Sequence, residues 1–221
     1  MERHMRTVLV ANIKGGCIKG GCGKTTLATN LAVAFAVGGK AVALADADRQ
    51  KSSLQWCQTR PDGVPAVVGL NWTKRQGEVP RGIDRLVIDA PAAMTPAQSE
   101  ALVELADVVL VPVLPSVFDE SATRRFLERI EEIKAIRKQR KGLALVANRV
   151  RANTRAAERL EAFLAEVGHE AAGRIADRAI YGELAVQGLS LFDVNTRPAI
   201  ETTVHWLPLL GYIEDTLRGR R

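Results

Sequence analysis

Cysteine and aromatic side chains are scarce in this chain. Its 221 residues include 3 cysteines, and aromatic residues make up 5%. Three cysteines cannot build the disulfide framework of a small secreted domain. Cys17 and Cys22 are too far apart for a Cys-x-x-Cys redox or zinc pair, and no cysteine follows Cys57. That excludes an iron–sulfur reductase of the nitrogenase iron-protein type, which would need cluster-ligating cysteines in the middle of the chain. Long apolar runs are also missing, so neither a signal peptide nor a membrane-spanning helix is expected, and the chain reads as cytoplasmic. Low-complexity linkers are absent too. The most irregular stretch, 60–81, contains Pro61, Gly63, Pro65, Gly77 and Pro80 and reads as loops around a short strand. Residues 1–221 are therefore expected to form a single domain.

What is present is a regular alternation of apolar and helical stretches. Strands are expected at Thr7–Asn12, Ala41–Ala45, Ala66–Leu70, Arg85–Ile88, Val108–Pro112, Leu143–Ala147 and Glu170–Ile175. Several of these are apolar throughout, as in Val108-Val109-Leu110-Val111. Continuous rather than alternating hydrophobicity fits strands covered on both faces. Helices are expected at Lys24–Val37, Ser52–Thr59, Pro96–Leu105, Glu120–Lys138, Thr154–Val167, Arg178–Gln187 and Thr196–Leu217. The β-α-β order predicts an α/β fold: a doubly wound, mostly parallel sheet with helices on both faces. Ligands of such sheets bind beyond the carboxyl ends of the strands.

The pentapeptide Ile-Lys-Gly-Gly-Cys occurs twice in succession, at Ile13–Cys17 and Ile18–Cys22. The second copy runs into Gly23-Lys24-Thr25-Thr26 and completes a glycine-rich phosphate loop between the first strand and the first helix. Gly20, Gly21, Cys22 and Gly23 let backbone N–H groups turn onto phosphate oxygens, with Thr26 at the helix start. The helix directs its positive end at the same anion. Lys24 adds a mobile charge, and the Thr25 hydroxyl can ligate Mg2+. The second strand ends in Asp46-Ala47-Asp48 and the fourth in Asp89. Carboxylates placed there can hold Mg2+ and orient water on a γ-phosphate. Asp46 either shares that work with Asp48 or caps the following helix.

Lys19-Gly20-Gly21-Cys22-Gly23-Lys24-Thr25 resembles the deviant Walker A loop of the ParA/MinD family of P-loop ATPases. Asp46-x-Asp48-x-Gln50-x-Ser52 resembles that family's switch I, and Ile88-Asp89-Ala90-Pro91 its switch II. Val111-Pro112-Val113-Leu114-Pro115 and Ala147-Asn148-Arg149-Val150 are similar to its later segments. The start of the chain leaves no room for a helix-turn-helix domain, which points to the small ParA class. The resemblance implies a slow, partner-stimulated ATPase with ATP and Mg2+ as cofactors. Lys19 would reach ATP across a nucleotide-sandwich homodimer, and Lys24 would contact the phosphates. Thr25, Asp48 and Asp89 would serve Mg2+, Asp48 would also position the hydrolytic water, and Asn148 would contact adenine. Two departures stand out. The Ile13–Cys17 copy is surplus, so Lys14 competes with Lys19 for the trans role. Arg49 replaces the usual proline of switch I.

The implied function is to position a plasmid, a chromosome locus or a protein cargo on the nucleoid. The ATP-bound dimer would bind double-stranded DNA without sequence preference, and a ParB-like or cargo adaptor would stimulate hydrolysis. A net charge of +6 agrees with a polyanionic partner. Arginines cluster at Arg149, Arg151 and Arg155, at Arg174 and Arg178, and at Arg218, Arg220 and Arg221. The alternatives are a MinD-like membrane switch and an ATP-dependent ligase of the cobyrinate or dethiobiotin synthetase type. Trp206, Leu210, Ile213 and Leu217 form an apolar stripe near the C-terminus. Pro208 and Gly211 interrupt it, so a helix packed on the core is expected rather than a membrane anchor.

Overall fold

The computed structural model describes residues 5–12, 21–133, 136, 141–168 and 171–219. The surplus Ile13–Cys17 copy, Lys14, Lys19, Gly20, Arg220 and Arg221 lie outside them. Seven strands form one sheet: β1 Arg6–Val10, β2 Val42–Asp46, β3 Val67–Asn71, β4 Arg85–Asp89, β5 Val108–Val113, β6 Gly142–Val150 and β7 Ala171–Ala176. Their order is β3-β2-β4-β1-β5-β6-β7. Every ladder is parallel, one step beyond the mostly parallel sheet expected.

Alternate side chains of each strand enter opposite cores. Val8, Val10, Leu44, Val87, Leu110 and Val146 pack on one face with Leu27 and Leu31 of helix α1 (Lys24–Val37). Leu9, Ala43, Ile88, Val109 and Leu145 pack on the other with Phe126 and Ile130 of α4 (Val117–Glu131). Two apolar cores explain why the central strands carry uninterrupted apolar runs such as Val108–Val111. The remaining helices are α2 Ser52–Thr59, α3 Pro96–Leu105, α5 Arg155–Glu166, α6 Ile180–Ala185, α7 Arg197–Thr203 and α8 Leu207–Leu217.

Several boundaries differ from expectation, two helices most. Helix α4 starts at Val117, earlier than Glu120, and its helical run closes at Glu131. Asp119 and Glu120 fall in its first turn, where negative charge favours the helix dipole. The helix expected over Thr196–Leu217 is divided by a 3-10 turn at Val204–Trp206. Pro208 stands in the first turn of α8 and lacks the N–H that a continuous helix would need. The C-terminal stripe does pack inward: Trp206, Leu209 and Ile213 are fully buried and Leu217 nearly so. Leu209, rather than the expected Leu210, makes the deep contact. Each such side chain contributes roughly 1.5–3 kcal/mol by leaving water. The close approach needs Gly173 on β7, where an added Cβ would lie 2.8 Å from the Leu209 Cβ.

The register puts Asp46 beside Asp89 at the carboxyl ends of β2 and β4. β1 lies between β4 and β5, so the chain leaves it where the direction of the crossovers reverses. That crevice is where an open α/β sheet binds its ligand.

Candidate functional site

Helix α1 opens on Gly23 in the left-handed region, φ 76° and ψ 23°, with no side-chain cap. The first-turn N–H groups of a helix have no intrahelical acceptor. Without a side-chain cap here, they face the end of the glycine-rich loop and suit a phosphate. Lys24, Thr25 and Thr26 form that first turn and are each partly exposed. Lys24 folds back towards the loop, its Nζ 3.8 Å from the Cys22 Sγ. Gly21, Cys22 and Gly23 precede the helix as expected, with Gly21 also left-handed at φ 69°.

Thr25 donates its hydroxyl to the Asp89 Oδ2 at 2.7 Å. Asp89 is 1% exposed, and its other oxygen, Oδ1, has no well-formed hydrogen bond among the described residues, the Ser53 hydroxyl being the nearby donor. Burial is the main reason its pKa rises to about 7; the Thr25 hydrogen bond opposes the rise and the neighbouring Asp46 adds to it. A buried carboxylate with one unsatisfied oxygen, joined to a hydroxyl at a helix N-terminus, fits Mg2+. That ion takes few protein ligands and keeps several waters. Thr25 and Asp89 would hold it, directly or through water.

Asp46 is a structural group. Its Oδ1 accepts the Asp48 N–H at 2.9 Å, and its Oδ2 accepts the Leu54 N–H of α2 at 2.9 Å. Between its two expected roles, the geometry selects the cap. Asp48 braces two loops: its Oδ1 accepts the Gln50 N–H at 3.0 Å, and its Oδ2 accepts the Ala92 N–H, beyond β4, at 2.9 Å. The loops after β2 and β4 are therefore coupled through one partly exposed carboxylate.

Asn148, expected just after a strand, lies within β6, which extends to Val150. It is 4% exposed, and its Nδ2 donates to the Cys22 carbonyl at 2.8 Å. Two groups escaped the sequence reading. Asn12 is fully buried at the end of β1, its Nδ2 donating to the Pro112 carbonyl at 2.7 Å and reaching the Thr123 hydroxyl at 3.3 Å. Asp119 is buried in α4, and its carboxylate accepts the Leu114 N–H. Asn12 ties the chain after β1 to the end of β5 and to α4, and Asp119 ties α4 to the residue that follows β5. For Asn12 the one available signal was a polar residue directly following an apolar strand segment; Asp119 had none.

The expected arginine clusters fall into two kinds. Arg151 pairs with Asp177 at 2.7 Å, Arg174 with Glu161 at 2.6 Å, and Arg218 approaches Glu214 at 3.8 Å. Arg155 and Arg178 are exposed, and neither has an ion pair among the described residues.

The profile of the family described as the CobQ/CobB/MinD/ParA nucleotide binding domain matches residues 8–191. The chain belongs to this family. It is a P-loop ATPase, and ATP with Mg2+ is its ligand pair. Maintenance of carboxysome distribution protein A from Halothiobacillus neapolitanus is 29% identical over 198 residues, covering 86% of this chain and 88% of that protein. Two solved structures share the fold. A variant of Cyanothece McdA in complex with ATP superposes with a TM-score of 0.71 at 17% identity, covering 98% of this chain and 97% of that one. Pyrococcus horikoshii MinD with Mg-ADP gives 0.71 at 16% identity, covering 98% of each chain.

The raised Asp89 pKa sets a pH dependence. Between pH ~4 and ~7 the folded chain binds a proton that the unfolded chain has already lost. The stabilisation this gives is complete below the unfolded pKa and is lost as pH rises to about 7. Above that, a buried carboxylate carries its charge at a cost. Asp89→Asn is expected to raise the nucleotide-free melting temperature at pH 8, by the equivalent of about 1–2 kcal/mol. The same variant should lose the extra stabilisation that Mg2+ adds to ATP. Thermal melts at pH 5 and pH 8, with and without Mg·ATP, check both.

Proposed function

We propose that this ATPase positions a protein cargo on the nucleoid through an ATP-dependent dimer that binds DNA without sequence preference. The observation that carries the reading is the similarity to a carboxysome distribution protein over 86% of this chain and 88% of that one. Similarity over that much of both chains extends far beyond a nucleotide-binding loop. Plasmids and chromosome loci are cargoes of the wider group, and protein cargo is the nearer match.

In this reading Lys24 and the N–H groups before α1 bind the phosphates, and Thr25 and Asp89 serve the metal. Mg2+, when bound, offsets charge on the β- and γ-phosphate oxygens. Asp48 orients the attacking water and links the loops after β2 and β4. Lys14 or Lys19 enters the partner's site, so that dimerisation and ATP affinity reinforce each other. An adaptor protein then stimulates hydrolysis and releases the dimer from DNA. Packing of Trp206, Leu209, Ile213 and Leu217 into the core favours DNA over a membrane as the surface engaged.

The test is fluorescence anisotropy of a random-sequence duplex with ATP, ADP or no nucleotide at two salt concentrations. Binding that requires ATP and weakens with salt supports the reading, because phosphate contacts release counterions. No binding under ATP refutes it, and liposome co-sedimentation then tests the membrane alternative. Of the arginines in the expected clusters, Arg155 and Arg178 are exposed and have no ion pair among the described residues, which leaves them available for phosphates. Reversing both to glutamate should weaken DNA binding roughly tenfold or more and reduce the salt slope by about 2. Arg174→Ala, which breaks the pair with Glu161, should have a smaller effect.

A further inference from the structure

We infer that Asn148 is a positioning residue for the phosphate loop, acting on nucleotide affinity through the phosphates. Three observations converge on it. The first is the hydrogen bond to the loop: the Asn148 Nδ2 donates to the Cys22 carbonyl at 2.8 Å, across 126 residues of sequence. The Oδ1 of the same amide accepts the Arg149 N–H at 3.0 Å, which fixes the orientation of the group. The second is packing. A Cβ added at Gly23 would lie 2.5 Å from the Asn148 Nδ2, so the amide forms the wall against which the left-handed glycine turns. The third is the backbone that aims it. Ala147 of β6 pairs with Arg174 and Val150 with Ala176, leaving one extra residue in β6 at Asn148–Arg149. Arg149 is left-handed there, at φ 52°. Such a bulge redirects a side chain out of the regular alternation.

The Cys22 carbonyl belongs to the peptide whose N–H is that of Gly23. Peptide planarity means that holding the carbonyl also holds that N–H and sets the direction from which α1 begins. A loop that binds an anion with backbone donors gains most from having them oriented beforehand. Asn148 supplies that orientation from a buried strand end, which the exposed side of the loop cannot do. The inference concerns the nucleotide site alone and does not depend on DNA binding.

The test measures displacement of a fluorescent ATP analogue, with Mg2+, by three competitors: ATP, inosine triphosphate and inorganic tripolyphosphate. Inosine triphosphate lacks the 6-amino group of adenine, and tripolyphosphate lacks a base. Asn148→Ala is expected to weaken all three by about tenfold, the scale of one lost hydrogen bond in a binding site. The ratio of ATP to inosine triphosphate affinity should stay within about twofold of wild type. A loss confined to ATP overturns the inference, and so does the absence of any loss. Asn148→Asp keeps the volume and turns an oxygen towards the Cys22 carbonyl. It should weaken all three at least as much, and it keeps the test decisive if the alanine variant does not fold. Gly23→Ala provides a second readout. Its cost in tripolyphosphate affinity should be smaller in the Asn148→Ala background than in wild type, because the 2.5 Å contact is gone. Equal costs in both backgrounds would show that Asn148 is no wall for the loop.

Discussion

Lys24→Ala is expected to weaken ATP binding by roughly 100-fold or more while the protein stays folded. Removing one charged partner from a hydrogen-bonded, desolvated pair costs about 2–5 kcal/mol, and every 1.4 kcal/mol is a factor of ten. Lys24 belongs to that class. It begins α1 directly after the left-handed Gly23, and its ammonium lies back over the loop near the Cys22 sulfur. Its side chain makes no ion pair among the described residues, so alanine should change the nucleotide-free melting temperature little. Equilibrium titration with a fluorescent ATP analogue, alongside thermal melts without nucleotide, separates affinity from folding. Retained tight binding would refute the assignment of the loop.

Asp48→Ala should slow hydrolysis by about 10²–10³, within the range for losing a group that handles the attacking water. ATP should still bind, so the variant accumulates as an ATP-bound dimer that stays on DNA. The structure adds a complication that the sequence concealed: Asp48 also joins the Gln50 and Ala92 backbones. Asp48→Asn resolves it, because the asparagine oxygen can still accept the Ala92 N–H that links the two loops, while the carboxylate charge and the Gln50 bond within one loop are lost. If the charge orients water, the asparagine variant is as slow as alanine. If Asp48 only ties the loops together, asparagine hydrolyses ATP near the wild-type rate and the role given to Asp48 is wrong. Single-turnover hydrolysis with saturating ATP reads the step directly.

The fold was legible because its signals are local. Uninterrupted apolar strands, helical periods between them and glycine at the first strand–helix junction are set by near neighbours and by burial on two faces. Helices α1, α2 and α3 begin and end where the sequence placed them. Asp48 and Asp89 were legible for the same reason, since each stands within two residues of an apolar strand's end, while Lys24 and Thr25 were marked by the glycine-rich loop that runs into α1. The ends of the other elements were less so. The division of the C-terminal helix at Val204–Trp206 and the extension of β6 through Asn148 to Val150 depend on packing partners elsewhere in the chain.

Sequence alone was enough for a doubly wound sheet, a phosphate loop at the end of β1 and acidic groups at the ends of β2 and β4. Periodicity and spacing encode those features over a few residues. The tertiary structure decided what each polar group does. It assigned Asp46 to the backbone of α2, left one Asp89 oxygen unsatisfied beside Thr25, and brought Asn148 onto the Cys22 carbonyl. It also distinguished Arg155 and Arg178 from the ion-paired Arg151 and Arg174. In each case the deciding partner is a hydrogen bond or charge made when the sheet assembles. Such contacts depend on strand order and burial, which no local stretch of sequence specifies.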